Sequence, residues 1–201
     1  MKKIIISIIV FASVLACKDN PVSKKIKETK QNVTNTTKAV KEMNNIQKDI
    51  EELQQVKPLT NAELKDWLPD DINGMKRISF KAGQMGMIQI ASVEATYANE
   101  DKSKKFKVEV IDGAGEMGAA ATTGMRMLFS QEFEEEDEYK TRRTVKKNGV
   151  KAIEEYRKNN NRSSIEFMKG NRFYFKTTGT NMNLDETWDG IEELETDDLG
   201  K

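Results

Sequence analysis

The sequence predicts an α+β domain in which about seven strands form an antiparallel β-sheet meander, covered by two or three helices and preceded by a helical or disordered tether. Segments in which apolar and polar residues alternate follow one another with short turn signals between them, which is typical of an antiparallel sheet. Segments with helical spacing of apolar residues precede, interrupt and follow the strands. Residues 21–57, by contrast, contain no aromatic residue and no glycine, so they cannot bury enough apolar surface to form a domain alone.

The N-terminal residues have the pattern of a secretory signal peptide. Met1 is followed by two lysines and by an apolar run over residues 4–14, which is too short to span a bilayer of about 30 Å as a permanent helix. The quartet Val14-Leu15-Ala16-Cys17 resembles the lipobox of bacterial lipoproteins, in which the cysteine thiol is acylated before cleavage. This resemblance implies that residues 1–16 are removed and that Cys17 becomes the lipidated N-terminus.

The lipobox resemblance also implies a location in the cell envelope. Two or three acyl chains anchor a protein stably, because each buried CH₂ contributes about 0.8 kcal/mol. Lys18 is not the aspartate that favours retention in the inner membrane of enteric bacteria, so we expect the outer membrane, at its periplasmic face or at the cell surface. The expected partners are the membrane, through the N-terminal lipid, and a protein or envelope component, while the oligomeric state is left open.

The composition excludes several classes of function. Cys17 is the single cysteine and the chain has no histidine, so a disulfide, the usual zinc sites and Ser-His or Cys-His catalysis are not available. The chain has 33 basic and 33 acidic residues, and removing Lys2 and Lys3 with the signal peptide leaves 31 basic residues. This balance gives no electrostatic reason to bind nucleic acid. We therefore expect no cofactor, no metal and no nucleic-acid partner.

Residues 17–57 form the predicted lipidated tether, which includes an amphipathic helical segment. Its apolar residues are spaced so that they place a narrow stripe on one side of a helix: Ile26, Val33, Val40, Met43, Ile46, Ile50 and Leu53. A coiled coil is one interpretation, but Gln47 and Gln54 occupy the continuation of its seven-residue register. We favour a single helix that docks on the domain near its C-terminal end and frays near the lipid.

The domain, over residues 58–201, begins with a short helix and three strands. Thr60 and Glu63 have the spacing of a capping box, and Pro69 ends the helix at about residue 68. Alternation of apolar and polar residues then predicts three strands, over residues 75–81, 87–98 and 104–112.

A second helix, four more strands and a last helix follow. Residues 116–130 have helical periodicity, and the predicted apolar face consists of Met117, Ala120, Ala121, Met125, Leu128 and Phe129. The turn signals at Asn148-Gly149, 159–161 and 169–171 separate strands predicted at 139–146, 150–157, 164–167 and 172–175. The last helix, over residues 184–195, has Asn183 and Glu186 in capping positions.

The predicted order of elements is helix, three strands, helix, four strands, helix. Together with the Val-x-Val-x-Asp strand end at residues 108–112, this order resembles the fold shared by the PsbP photosystem subunit family and the Ran-binding nuclear import factors of yeast type, over roughly residues 60–199. The resemblance implies a module for binding or assembly, although function does not follow from fold alone.

Residues 113–118 match the dinucleotide-binding pattern G-x-G-x-x-G, since they follow a strand and open a helix. Two features argue against a nucleotide site. Lys105, Lys107 and Glu109 alternate through the preceding strand, whereas a parallel strand buried on both faces is almost wholly apolar. The helix leads into the acidic run 132–138 instead of a second buried strand. We interpret the motif as a flexible turn whose small residues let the helix pack closely on the sheet.

Methionine pairs and charged runs are the remaining candidate sites. Met85-Gly86-Met87 and Met125-Arg126-Met127 have the spacing of thioether ligands for Cu(I), but on a helix the second pair diverges, and core packing is the default for both. The acidic runs 132–138 and 192–198 lack the spacing of a calcium loop, so we expect them to be solvated. A basic hairpin faces water in our interpretation, although it could meet lipid phosphates or an acidic partner: Tyr139, Arg142, Arg143 and residues 146–151.

We therefore predict a membrane-anchored envelope lipoprotein with a non-enzymatic binding or assembly domain. Two alternatives stay open: a pocket on the sheet that binds a small or lipidic molecule, and an envelope hydrolase that uses carboxylates alone. The sequence singles out no catalytic, cofactor or metal residue. Its one predicted site residue is the lipidated Cys17.

Overall fold

The computed structural model describes residues 40–84, 90–147 and 149–201. Cys17 and most of the predicted tether lie outside the described residues, as do Met85 and Met87. Residues Glu42–Lys201 form a compact unit.

Nine antiparallel strands form one sheet in the order β1-β2-β3-β4-β9-β8-β7-β6-β5. Their bounds are β1 Asp71–Ile72, β2 Met75–Gln84, β3 Ala91–Ala98, β4 Lys105–Asp112, β5 Glu134–Glu136, β6 Lys140–Lys147, β7 Val150–Arg157, β8 Arg162–Lys169 and β9 Phe173–Thr180. Four helices accompany them in the described part of the chain: α1 over residues 40–54, α2 Asn61–Trp67, α3 Gly115–Phe129 and α4 Leu184–Glu192. The α+β class and the antiparallel sheet are confirmed.

The strand count and the single meander require correction. The sheet consists of two meanders, β1 to β4 and β5 to β9, which are joined where β4 pairs with β9, while α3 leads from β4 towards the opposite edge strand. The two strands that were not predicted have only two and three residues, too short for any periodic signal. One of them, Glu134–Glu136, lies within the acidic run and pairs with β6 opposite Arg142 and Arg143.

Local signals at the helix ends are confirmed. Thr60 and Glu63 form a reciprocal capping box at the start of α2, and Asn183 and Glu186 form another at the start of α4. The C-cap residue of α2, Leu68, is extended, as expected for a residue that precedes proline.

One face of the sheet carries the main core, and α2 and α4 cover it. Phe167 and Phe175 stack with ring centroids 4.8 Å apart, and Trp188 of α4 lies against Phe167. The indole Nε1 of Trp188 donates to Glu154 Oε1 at 2.7 Å, so this buried carboxylate has a partner.

Among the described elements, α3 covers the opposite face of the sheet, at one end. There Phe129 packs with Ile153 and Tyr174 in a second, smaller cluster. Beyond this cluster no described helix covers the face, and its exposed rows consist of lysine, arginine, glutamate, serine and threonine.

The C-terminal end of α1 contacts the domain. Leu53 is 8% exposed, whereas Met43, nearer the N-terminus of the helix, is 61% exposed. Asn171, in the turn between β8 and β9, donates from Nδ2 to Asp49 Oδ2 at 3.0 Å. The contact therefore lies at the C-terminal end of α1, where we predicted that the helix docks on the domain.

Candidate functional site

A cavity of about 720 Å³ lies between α3 and strands β2 to β4, next to the smaller core cluster. Its apolar wall includes Ala121 and Met125 from α3, together with Ile90, Val110 and Ile111. Its polar wall includes Lys81, Ser92, Glu94, Glu109 and Tyr174. A volume of this size, mostly apolar walls and a few polar groups on one side are typical of small-molecule sites.

Two glycines of the G-x-G-x-x-G motif set how closely α3 approaches the sheet. A Cβ atom on Gly118 would lie 2.5 Å from the Asp112 carbonyl oxygen, and one on Gly113 would lie 2.6 Å from the Arg172 carbonyl oxygen. Both neighbours of β4, the strand before the motif, are antiparallel to it. The motif therefore serves close helix packing, as we predicted, and does not belong to a parallel nucleotide-binding unit.

A buried ion pair fixes the N-terminal end of α3. Asp112 is fully buried and accepts two bonds from Arg172, from Nε to Oδ1 and from a terminal nitrogen to Oδ2, each at 2.7 Å. The same carboxylate accepts from the backbone N–H of Leu59 at 2.8 Å and of Ala114 at 2.9 Å. Four donors thus satisfy one carboxylate, which ties the start of the domain, the end of β4 and the start of β9 together.

The second half of α3 is held by Arg126, whose buried position was not predicted from the sequence. Its side chain is buried, donates to the Thr122 hydroxyl, and donates to the Asn171 carbonyl oxygen at 2.7 Å. Burial lowers the pKa of Arg126, while the charge of Asp49 in α1 acts in the opposite direction. Gly118, Thr122 and Arg126 are spaced four apart, so they share the helix face that meets the sheet.

The apolar face predicted for α3 is therefore wrong in part. Met117 is 45% exposed, and the face that packs on the sheet consists of small and polar residues: Gly118, Ala119, Thr122 and Arg126. Phe129 is buried as predicted. Met125 packs against the smaller core cluster and also lines the cavity, as does Ala121.

Paired charges and a tyrosine form the polar wall. Lys107 Nζ lies 2.9 Å from a carboxylate oxygen of Glu94 and 3.1 Å from one of Glu109. The Tyr174 hydroxyl donates to Glu166 Oε2 at 2.9 Å. Burial, reinforced by the charge of Glu166, raises the pKa of Tyr174, so the phenol stays protonated and acts as a donor.

Among residues 40–84, 90–147 and 149–201, the other candidate sites are not assembled. Met125 lines the cavity whereas Met127 is 47% exposed, so this pair diverges as helical geometry predicts. Within residues 40–84, 90–147 and 149–201 no group of three or more acidic, histidine or cysteine side chains could hold a metal ion. Hydrogen bonds lower the pKa of five carboxyl groups that lie elsewhere on the domain: Glu63, Asp101, Asp137, Glu186 and Asp197.

Comparison with known proteins gives no family. No family model and no curated protein matches the chain. A solved structure with some similarity is that of a GTP binding regulator from Thermotoga maritima, at 13% identity and a TM-score of 0.31, covering 65% of this chain and 84% of that one. A similarity this low carries no argument about the function of this chain. Among the described helices, none has the length and apolar character needed to cross a membrane.

Proposed function

We propose that this protein is a lipid-anchored lipoprotein of the cell envelope whose α+β domain is a non-enzymatic binding module, with the cavity beneath α3 as its ligand site. The observation that carries the proposal is the cavity itself, whose volume of about 720 Å³ and largely apolar walls suit a small amphipathic molecule. The order of elements predicted from the sequence also resembles that of PsbP-like modules. Because such modules serve mostly in binding or assembly, this resemblance supports a binding role.

The walls indicate how such a ligand would lie. Its apolar body would contact Ala121 and Met125 on the helix side and Ile111 on the sheet side. A polar end would face Glu94 and Glu109, whose charges are shared with Lys107. A ligand group that both donates and accepts hydrogen bonds fits this wall best, because the wall includes the ammonium group of Lys81 and the carboxylates of Glu94 and Glu109.

The cavity is preformed because α3 is held at both ends. The Asp112–Arg172 pair fixes its start, and Arg126 and Phe129 fix its C-terminal half. Ala121 and Met125 line the cavity beside the helix face that meets the sheet. Preformed sites bind with a smaller loss of conformational entropy than sites that must be ordered by the ligand.

A cavity-filling substitution tests the ligand site. In a soluble chain of residues 18–201, Ala121→Phe should abolish binding of N-phenyl-1-naphthylamine, a neutral apolar probe whose fluorescence rises on leaving water. Ala120→Phe is the matched control, since Ala120 is the neighbouring residue on α3 and is exposed. Equal probe fluorescence in the two variants would show that the cavity is not the binding site.

The lipid anchor is tested separately. Cys17→Ser removes the thiol that a lipobox cysteine needs for acylation, so we expect both lipidation and signal removal to fail. The variant should keep its full precursor mass and lose incorporation of labelled palmitate. A variant of mature size that still partitions into the detergent phase would contradict lipidation at Cys17.

A further inference from the structure

A row of basic side chains crosses the open face of the sheet at the end far from α3. Arg157 of β7 lies directly opposite Arg162 of β8 and also opposite Lys140 of β6. The row continues through Thr180 of β9 to Lys105 of β4. Like charges directly opposite each other in an antiparallel pair are destabilising, so this arrangement works against the stability of the sheet.

Carboxylates neutralise only part of the row. Arg157 Nε lies 2.7 Å from Glu155 Oε1, and Lys140 Nζ lies 3.1 Å from Glu135 Oε1. Arg162 and Lys105 form no ion pair or hydrogen bond through their side chains with any residue that the structure describes. The guanidinium group of Arg162 is therefore available to a ligand.

Arg162 borders a small polar cleft of about 200 Å³ on this face. Its lining includes the cations of Arg157, Arg162 and Lys176 and the hydroxyl groups of Ser164 and Thr178. The two carboxylates of the lining are already engaged: Glu155 with Arg142 and Arg157, and Glu166 with Lys176 and the Tyr174 hydroxyl.

We propose that this cleft, which we call the Arg162 cleft, binds a phosphate group, carried by a soluble ion or by a lipid headgroup. The planar guanidinium of arginine matches two phosphate oxygens, and the Thr178 hydroxyl can donate to the third, whereas the Ser164 hydroxyl already donates to the Thr177 carbonyl oxygen. A bound phosphate would also relieve the repulsion between Arg157 and Arg162. Arg162 does not line the α3 cavity, so a substitution at Arg162 tests this proposal independently of the proposed cavity site.

Thermal unfolding of the full chain in non-ionic detergent tests the proposal with inorganic phosphate as the probe. We expect phosphate to raise the melting temperature above that in sodium chloride of equal ionic strength, by about 5 to 10 °C when phosphate is at about 100 times its Kd. Arg162→Gln should abolish this rise. Lys146→Gln, which removes an exposed cation from β6 near the opposite end of the same face, should keep it.

Two further measurements separate the outcomes. In chloride, Arg162→Gln should melt no lower than the native chain, because it removes a repulsion with Arg157, and this excludes misfolding as the reason for lost binding. Dihexanoyl phosphatidic acid is the lipid probe: a rise with this probe but not with inorganic phosphate, again lost in Arg162→Gln, would assign the site to a lipid headgroup. Equal rises in the native chain and Arg162→Gln, or no rise beyond that in chloride with either probe, would overturn the proposal.

Discussion

Asp112 is the residue on which most of the site's geometry depends. It lies at the end of β4, where its carboxylate satisfies Arg172 and two backbone N–H groups without contact with water. A buried ion pair contributes modestly when complete, but removing Asp112 leaves the Arg172 guanidinium, whose side chain is 18% exposed, without its counter-charge. The cost falls on three segments together, because Leu59, Ala114 and Arg172 belong to different parts of the chain.

Asp112→Asn should accordingly destabilise the protein by about 3–5 kcal/mol, measured as the free energy of unfolding in urea. Asp70→Asn is the control, since Asp70 pairs with Arg77 but its side chain is 95% exposed. That pair is worth at most about 1 kcal/mol. Similar losses in the two variants would contradict the role of the buried pair.

At the scale of single residues, the sequence predicted what is local and missed what depends on tertiary contacts. The capping residues Thr60 and Asn183 are confirmed because a capping box is complete within four residues. Arg126 was not predicted as a buried residue, since arginine is almost never buried unless its donors find partners. Those partners, Thr122 and the Asn171 carbonyl oxygen, are brought together only by the fold.

The element on which the proposed ligand site depends is α3, and its position depends on glycine. Gly118 faces backbone atoms of the preceding strand end, whereas Gly124, in the same helix, has no atom within 4 Å of where its Cβ would be. Both lie within the helix, so alanine should improve helix propensity at each by about 0.5–1 kcal/mol. Only at Gly118 does a steric clash oppose this gain.

Gly118→Ala and Gly124→Ala should therefore change stability in opposite directions. We expect Gly124→Ala to raise the free energy of unfolding by about 0.5–1 kcal/mol. Gly118→Ala should lower it by about 1–3 kcal/mol, because the new methyl group would displace the helix from Asp112 and Gly113. Chemical denaturation of both variants measures the effect. A stabilised Gly118→Ala would show that α3 does not pack as closely as described.

Among the strands, the longer ones were predicted from the sequence, and the two of only two and three residues were not. The strands over Lys105–Asp112 and Val150–Arg157 agree with prediction to within one residue. Each has eight residues; apolar and polar residues alternate in the first, and turn signals bound the second. The cavity could not be predicted, because Ala121 and Met125 have the same spacing whether they pack in a core or line a space. The pairing of β4 with β9 joins strands distant in sequence, and no local pattern encodes it.

On the scale of the whole molecule, one face of the sheet carries the main core and the other carries the two proposed sites. Two helices and the aromatic cluster fill one face, which provides most of the buried apolar surface. On the other face, the described part of the chain places α3, a small apolar cluster and rows of polar side chains. The residues of the main core and those of the two proposed sites therefore lie mostly on different faces. Substitutions at the Arg162 cleft or on the cavity wall can alter a proposed ligand site without removing the main core.

The folded unit begins near Glu42, in the first turn of the described part of α1. The composition of residues 18–39 predicts a spacer. The C-terminal half of α1 belongs to the folded unit instead, because Leu53 is 8% exposed and Asp49 accepts a hydrogen bond from Asn171. Deleting residues 18–39 should leave the melting temperature unchanged. Deleting residues 18–57 should lower it by roughly 3–12 °C, from about 1.5–3 kcal/mol for burying one leucine side chain.

Two substitutions in the undeleted chain isolate the cause of that fall. Leu53→Ala should reproduce most of it, because it removes the buried side chain of α1 while keeping the chain length. Met43→Ala, on the same helix but 61% exposed, should have almost no effect. Limited proteolysis should then cleave before residue 40 and spare residues 42–56. Even cleavage across residues 18–57, with an unchanged melting temperature in the longer deletion, would show that α1 does not stabilise the domain.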